Sequence, residues 1–198
     1  MPVYAVTGMI CSGKSTLLRE LKKKGALIYD SDRVVHGFYR DPDNCVCRKV
    51  GNMFPETVAE NKTIVRSLLA EIVLKDRAKL AALEQIIHPA VLADLKAWID
   101  KRRGIKNIFL AEVPLLFEKD LDRWFDAVVF VSAPEEVLIE RLTKRSSLSR
   151  AEAKQRLELM AEAGEKKKKS QFILNNDSDR KKLKIRIDRL WEQLLSYK

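Results

Sequence analysis

Eight consecutive residues near the N-terminus, Gly8-Met9-Ile10-Cys11-Ser12-Gly13-Lys14-Ser15, carry the spacing G-x-x-x-x-G-K-[ST] in full. Each residue type answers a physical need. Glycines let the backbone turn so that successive N–H groups converge on phosphate oxygens. The lysine neutralises the outer phosphates, the next hydroxyl ligates Mg²⁺, and the helix beyond directs its positive end at the same anion. Gly8, Cys11, Ser12, Gly13, Lys14, Ser15 and Thr16 are therefore the candidate ATP contacts, with Ser15 the candidate metal ligand. At average composition such a match arises by chance in fewer than about one in a hundred chains of this length. Cys11 lies where a helix N-terminus activates a thiol; the plainer reading is a small residue that fits.

Phosphoryl transfer to an alcohol needs a group that accepts the hydroxyl proton and a cation that neutralises developing charge. Asp30-Ser31-Asp32 follows an apolar run, Ala26-Leu27-Ile28-Tyr29, and residues just past a strand end face the ligand crevice of a doubly wound sheet. Asp32 is the candidate general base, and Asp30 can orient a metal-bound water. The structural alternative is that Asp32 caps a helix starting near Arg33. Glu112 ends a second apolar run, Ile108-Phe109-Leu110-Ala111, where an acidic metal helper is expected; a paired structural charge is the alternative. Arg141 and Arg145 are four residues apart on one helical face, where like charges repel unless an anion lies between them. They are the candidate stabilisers of charge spreading over the transferred group. His88 precedes Pro89, which disfavours helical backbone, so a helix break is expected there, with acceptor contact or a structural turn as its role.

These residues need a scaffold, and the hydrophobic pattern supplies one. Val3–Thr7, Ala26–Tyr29, Asn107–Ala111, Ala127–Val131 and Phe172–Leu174 read as short buried strands. Amphipathic helices are expected from Ser15, and over Val65–Leu74, Lys79–Ile87, Ala90–Asp100, Glu135–Arg145, Arg150–Ala161 and Asp179–Leu195. Strands alternating with helices imply an α/β fold, a doubly wound five-stranded parallel sheet of the P-loop kinase type. The 198-residue chain is expected to form a single domain. Its nucleotide-binding core spans 1–32 and 106–198, a helical acceptor-binding insertion 33–105, and a basic helical lid 141–169. Lys166–Lys169 reads as a solvated surface of that lid.

Composition narrows the partners. No apolar run approaches the roughly 18 residues of a membrane span, and no basic region precedes the first apolar stretch, so a cytoplasmic protein is expected. Cys11, Cys45 and Cys47 suit a reducing compartment, and their spacing with His36 and His88 matches no usual zinc pattern. The formal net charge of +10 suits phosphorylated small molecules, an anionic membrane or nucleic acid. No nucleic-acid module is recognisable, which leaves a non-catalytic nucleotide-dependent nucleic-acid binder supported by charge alone.

Four segments together resemble the dephospho-coenzyme A kinase family. Asp30-Ser31-Asp32 is similar to its acidic D-x-D element, and Glu112-Val113-Pro114-Leu115-Leu116-Phe117-Glu118 to its E-x-P-L-L-F-E segment. Leu83-Glu84-Gln85-Ile86-Ile87-His88-Pro89 resembles L-E-x-I-x-H-P, and Arg66 the arginine of a mid-domain helix. Arg141 and Arg145 fall where the family has lid arginines, and Asn175 where it has an asparagine after the last strand. The resemblance runs from Val3 to about Leu195. It implies transfer of phosphate from ATP, with Mg²⁺, to the ribose 3′-hydroxyl of dephospho-coenzyme A. It also implies acceptor contacts at Asp30, His88, Glu112, Pro114 and Leu115, and an ATP contact at Asn175. Another P-loop kinase, acting on a nucleoside monophosphate or a metabolite, is the alternative. Met9 and Cys11 replace the family's glycine or small residues, Met160 a common glutamine and Asp177 a common glycine; residues 32–61 match poorly.

Overall fold

The computed structural model describes residues 2–146, 148–158, 163–177 and 179–197; Met160 lies outside them. The apolar runs form five strands: β1 (Val3–Gly8), β2 (Leu27–Tyr29), β3 (Phe109–Glu112), β4 (Ala127–Ser132) and β5 (Phe172–Asn175). All neighbours pair in parallel, in the order β2-β3-β1-β4-β5. From β1 the chain runs out to the edge at β2, returns to β3, then crosses to β4 on the other side. β1 therefore ends between the ends of β3 and β4, at the switch point where α/β sheets bind ligands.

The chain divides into two compact units, Met1–Tyr29 with Lys101–Lys198, and Asp30–Asp100. In the first, helices α1 (Lys14–Lys23) and α9 (Arg180–Ser196) cover one face of the sheet. Leu17 and Leu21 of α1, with Ile187, Leu190 and Leu194 of α9, bury Tyr4, Val6, Val129 and Val131. Tyr4 is wholly buried and donates its hydroxyl proton to the Leu194 carbonyl at 2.6 Å, so its polar end is satisfied inside the core. Helices α6 (Glu135–Ser146) and α7 (Arg150–Glu158) form a satellite cluster of Leu138, Ile139, Leu142, Ala153 and Leu157. Met9, Ile10 and Cys11 pack against it, which explains apolar side chains where glycine is usual. Helix α8 (Ala163–Lys168) corrects the expectation for the lysine run. Lys166 is largely buried and pairs with Glu118, and Lys169 lies over the Phe117 ring at 5.9 Å. Aromatic and acidic groups of the Glu112–Glu118 segment thus hold part of a run that looked solvated.

The second unit is helical: α2 (Ser31–Arg40), α3 (Cys45–Met53), α4 (Arg66–Leu74) and α5 (Arg77–Asp100). Its own core is Tyr39, Val46, Cys47, Val50, Phe54, Ile64, Leu69, Val73 and Leu83. Asp30, not Asp32, caps α2: its side chain accepts the Arg33 N–H at 2.9 Å. Asn44 caps α3 through the Val46 N–H at 2.9 Å. The Cys47 thiol is buried and donates to the Tyr39 carbonyl at 3.5 Å, while Cys45 is exposed, so the two thiols do not converge. No cluster of three or more metal-binding side chains occurs among the described residues, and no helix among them is long and apolar enough to cross a membrane.

Two boundaries differ instructively from expectation. The third strand starts at Phe109, two residues later than expected; just before it, the Asn107 side chain accepts the Ile108 N–H at 2.7 Å. It runs through Glu112, which pairs with Val6. Helix α5 is continuous through Pro89, contrary to the break expected at His88-Pro89. Leu83, Ile86, Ile87 and Ala90 all pack on the helical core, so burial holds both flanking turns in one helix. The missing N–H frees the Gln85 carbonyl on an exposed residue, where water can satisfy it. Replacing Pro89 with Ala should restore this bond and raise the unfolding free energy by up to about 3 kcal/mol. Urea denaturation measures it; a lower midpoint would mean that the proline ring contributes packing the helix needs.

Candidate active site

The loop between β1 and α1 is shaped by close approaches that only glycine permits. Gly8 has φ +143°, and a Cβ there would lie 2.2 Å from the Val131 carbonyl oxygen. Gly13 has φ +103°, and a Cβ would lie 2.3 Å from the Asn176 side-chain nitrogen. Cys11 takes φ 57°, a left-handed conformation that costs a non-glycine residue about 1–2 kcal/mol. Gly13 is the N-cap of α1, and no side chain caps that end. The helix therefore presents its first amides and its positive pole to whatever occupies the loop.

Three side chains hold the carbonyls of the loop. Lys14 Nζ donates to the carbonyls of Gly8 at 3.2 Å and Met9 at 3.1 Å. Arg141 Nη1 donates to the carbonyls of Cys11 at 3.2 Å and Ser12 at 3.4 Å. Asn176 Nδ2 donates to the Ser12 carbonyl at 2.7 Å. Two of the peptides so held also spend their N–H groups on the protein, Met9 on the Val131 carbonyl at 3.3 Å and Ser12 on the Met9 carbonyl at 3.2 Å, so the loop is fixed from both edges. Burial pushes the Lys14 pKa down; the Glu112 carboxylate opposes that shift and the Arg145 charge reinforces it. Lys14 thus sits between an acid and a second cation, a charge balance that an incoming polyanion would improve.

These groups line one cavity of about 1230 Å³ within the first unit. Its phosphate end comprises Cys11, Gly13, Lys14, Ser15, Thr16, Glu112, Arg141, Arg145 and Asn176. The other end runs between α1 and α9, past Arg19, Lys23, Lys24, Arg180 and Lys184 over Leu183 and Ile187. Residues 30–100 carry ten basic and eleven acidic side chains, so the whole positive excess of the chain belongs to this first unit. The volume accommodates a nucleoside triphosphate, and the charge is of the right sign to attract it.

Of the residues expected at the ATP site, Cys11, Gly13, Lys14, Ser15 and Thr16 line this cavity, whereas Gly8, Ser12 and Asn175 do not. Asn175 is a strand residue whose Oδ1 accepts the Ser132 hydroxyl proton at 2.5 Å, and the cavity wall is built instead by Asn176. Side chains alternate along a strand, so a one-residue difference in where β5 ends exchanges the two asparagines. Arg141 is committed to loop carbonyls and Asn176, whereas no protein partner is described for Arg145 among the described residues. Ser12 is fully buried, and its hydroxyl has no partner among the described residues. Pro114 and Leu115 follow Glu112 and are exposed. In the second unit, Asp32 lies exposed in the first turn of α2, and His88 is exposed on α5. On α4, Arg66 Nη1 lies 3.3 Å from His36 Nδ1.

Comparison with known proteins bears on what this cavity serves. The dephospho-CoA kinase family matches residues 3–182. A dephospho-CoA kinase of Syntrophus aciditrophicus is 35% identical over 193 residues, covering 96% of this chain and 82% of that one. The chain belongs to the dephospho-CoA kinase family. A second member, from Protochlamydia amoebophila, is 32% identical over 196 residues, covering 98% and 96% of the two chains. The fold matches that of the dephospho-CoA kinase of Campylobacter jejuni with a TM-score of 0.74 at 24% identity, over 97% and 96% of the chains.

The half-buried lysine gives a test by pH. Its ammonium is the charged form that burial disfavours, so Lys14 loses its proton below the ordinary lysine range in the free enzyme. Bound phosphates favour the ammonium and move that loss upward. The alkaline limb of kcat/KM for ATP should therefore lie below the ordinary lysine range and shift to higher pH in the kcat profile. Lys14→Arg should abolish the limb in both profiles. An alkaline limb unmoved by that substitution would assign it to another group.

Proposed function

We propose that this chain transfers the γ-phosphoryl group of ATP to the ribose 3′-hydroxyl of dephospho-coenzyme A, giving coenzyme A and ADP. One observation carries the reading: a complete phosphate loop whose half-buried lysine shares a nucleotide-sized cavity with Glu112 and Arg145, in a chain of this family. A cytoplasmic location suits these substrates.

The reaction proceeds by in-line displacement. The loop amides, Lys14 and the N-terminus of α1 hold the triphosphate. Ser15 and Glu112 both line the cavity and offer oxygen donors suited to Mg²⁺, which keeps most of its waters and needs few protein ligands. Mg²⁺ bound there with the phosphates would neutralise charge on the β- and γ-oxygens. Arg145, without a protein partner among the described residues, supplies positive charge to the equatorial oxygens of the transferred group, and Arg141 keeps the loop in shape. Asp32 accepts the proton of the attacking hydroxyl. Its carboxylate is available because Asp30 does the capping of α2, and Asp30 retains a second oxygen for the acceptor. Asp30, His88, Glu112, Pro114 and Leu115 are the proposed acceptor contacts.

An ADP-release assay across dephospho-coenzyme A, AMP, CMP, shikimate and gluconate tests the acceptor. Dephospho-coenzyme A should be preferred by orders of magnitude, and a preference for any other member of the panel would overturn the reading. Asp32→Asn should lower kcat by about 10²–10⁴-fold with little change in ATP affinity. Turnover at the wild-type rate in that variant would remove Asp32 from the role of base.

A further inference from the structure

Asn176 is 5% exposed, and both ends of its amide are engaged. Nδ2 donates to the Ser12 carbonyl at 2.7 Å, in the space that Gly13 leaves by lacking a Cβ. Oδ1 accepts from Arg141 Nη2 at 3.1 Å, while Arg141 Nη1 reaches the Cys11 and Ser12 carbonyls. One side chain therefore ties the helix that carries the lid arginines to the phosphate loop. Its own position is fixed from both sides. The Asn176 N–H donates to the Ser132 carbonyl at 2.8 Å, which extends the β4–β5 pairing by one bond. Arg186 of α9 then straddles it: Nη1 donates to the Asn175 carbonyl and Nη2 to Asp177 Oδ2, each at 2.8 Å. Asp177, where the family commonly has glycine, supplies a carboxylate for this clasp.

We propose that Asn176 is a positioning residue for nucleotide binding, acting on the phosphate loop both directly at Ser12 and through Arg141, and that the Asp177–Arg186 clasp holds it in register. The chemistry is selective for the amide. The Ser12 carbonyl needs a donor and the Arg141 guanidinium needs an acceptor, and a carboxamide offers one of each in a fixed plane. A carboxylate would face the Ser12 carbonyl with a second acceptor, and an alanine would leave both groups unsatisfied in a buried site. Arg186 lies outside the nucleotide cavity, so its effect on the nucleotide travels through the backbone around Asn176.

This inference rests on the cavity holding a nucleotide and is independent of the acceptor's identity. The test is calorimetric titration of the full chain with magnesium-ATP and no acceptor present. Asn176→Ala should weaken binding about tenfold, as expected for loss of one charge-assisted hydrogen bond. Asn176→Asp should weaken it at least as much. Arg186→Met should weaken it several-fold, and Arg186→Lys should recover part of that loss by restoring one donor. Introduced into Arg141→Ala, the Asn176→Ala change should weaken binding by a smaller factor than it does alone, because only the bond to the Ser12 carbonyl is then left to lose. In steady state the KM for ATP should rise while the acceptor KM and kcat stay near wild type. Thermal melting of each variant without ligand controls for folding, and Arg186→Met, a surface change, keeps the test available should Asn176→Ala not fold. Unchanged ATP affinity in the Arg186 and Asn176 variants would overturn the inference, as would losses that add independently to that of Arg141→Ala. Absence of magnesium-ATP binding by the wild-type chain would instead remove the functional reading itself.

Discussion

A peptide group carries its donor and its acceptor on opposite edges, so a loop that aims N–H groups at an anion must find partners for the carbonyls it turns away. Here those carbonyls are taken by cationic or amide donors drawn from three parts of the chain: Lys14 within the loop's own helix, Arg141 from α6 and Asn176 from beyond β5. The remaining features of the site follow from this arrangement. Gly13 must lack a Cβ because the Asn176 amide occupies its place, and Gly8 because the Val131 carbonyl does. The parallel pairing of β1 with β4 and of β4 with β5 sets both approaches, so the sheet's register is written into the loop.

Such a loop concentrates positive charge, and the surrounding fold limits the resulting cost. Lys14 is desolvated and lies near Arg145, both of which disfavour its ammonium, while Glu112 at the end of β3 favours it. One carboxylate against several cations leaves a positive surplus, which a triphosphate can neutralise more fully than water does. The distribution over the chain has the same sense. Residues 30–100 are close to neutral, and the basic excess is confined to the unit that carries the loop. Within that unit the cavity is lined by eight basic and three acidic side chains, a local positive surplus that favours a small phosphorylated ligand.

The elements that the sequence made legible are those with a strong local cause. All five strands were readable because each is a short apolar run bounded by polar residues, although Leu27 in β2 and Ile173 in β5 remain exposed at the sheet edges. The phosphate loop was readable because its glycine spacing is a backbone requirement. Less legible were the features decided by tertiary packing. The continuity of α5 through Pro89 depends on Ile86, Ile87 and Ala90 finding a common core, which overrides the local preference for a break. Lys166 looked solvated in a run of four lysines, yet Glu118, 48 residues away, draws it down. The exchange of Asn175 for Asn176 turned on one residue of strand length. The two neighbours are chemically identical, and only the hydrogen bond from Asn176 N to Ser132 O decides which one faces the loop.

The two lid arginines show how spacing can be read correctly while its consequence divides. Arg141 and Arg145 share a face of α6, and a pair of like charges four residues apart suggests a common anion. The structure gives them different surroundings. Arg141 spends its planar fork on loop carbonyls and on Asn176, a geometry that a lysine could not reproduce, because one ammonium cannot satisfy divergent acceptors in a plane. Arg145, one turn further, lines the cavity without a protein partner among the described residues. In the proposed mechanism the anion that relieves their repulsion therefore meets Arg145 directly and Arg141 through the loop it shapes. Two cations on one helical face then perform separable tasks, one maintaining the phosphate cradle and the other answering the charge that develops within it.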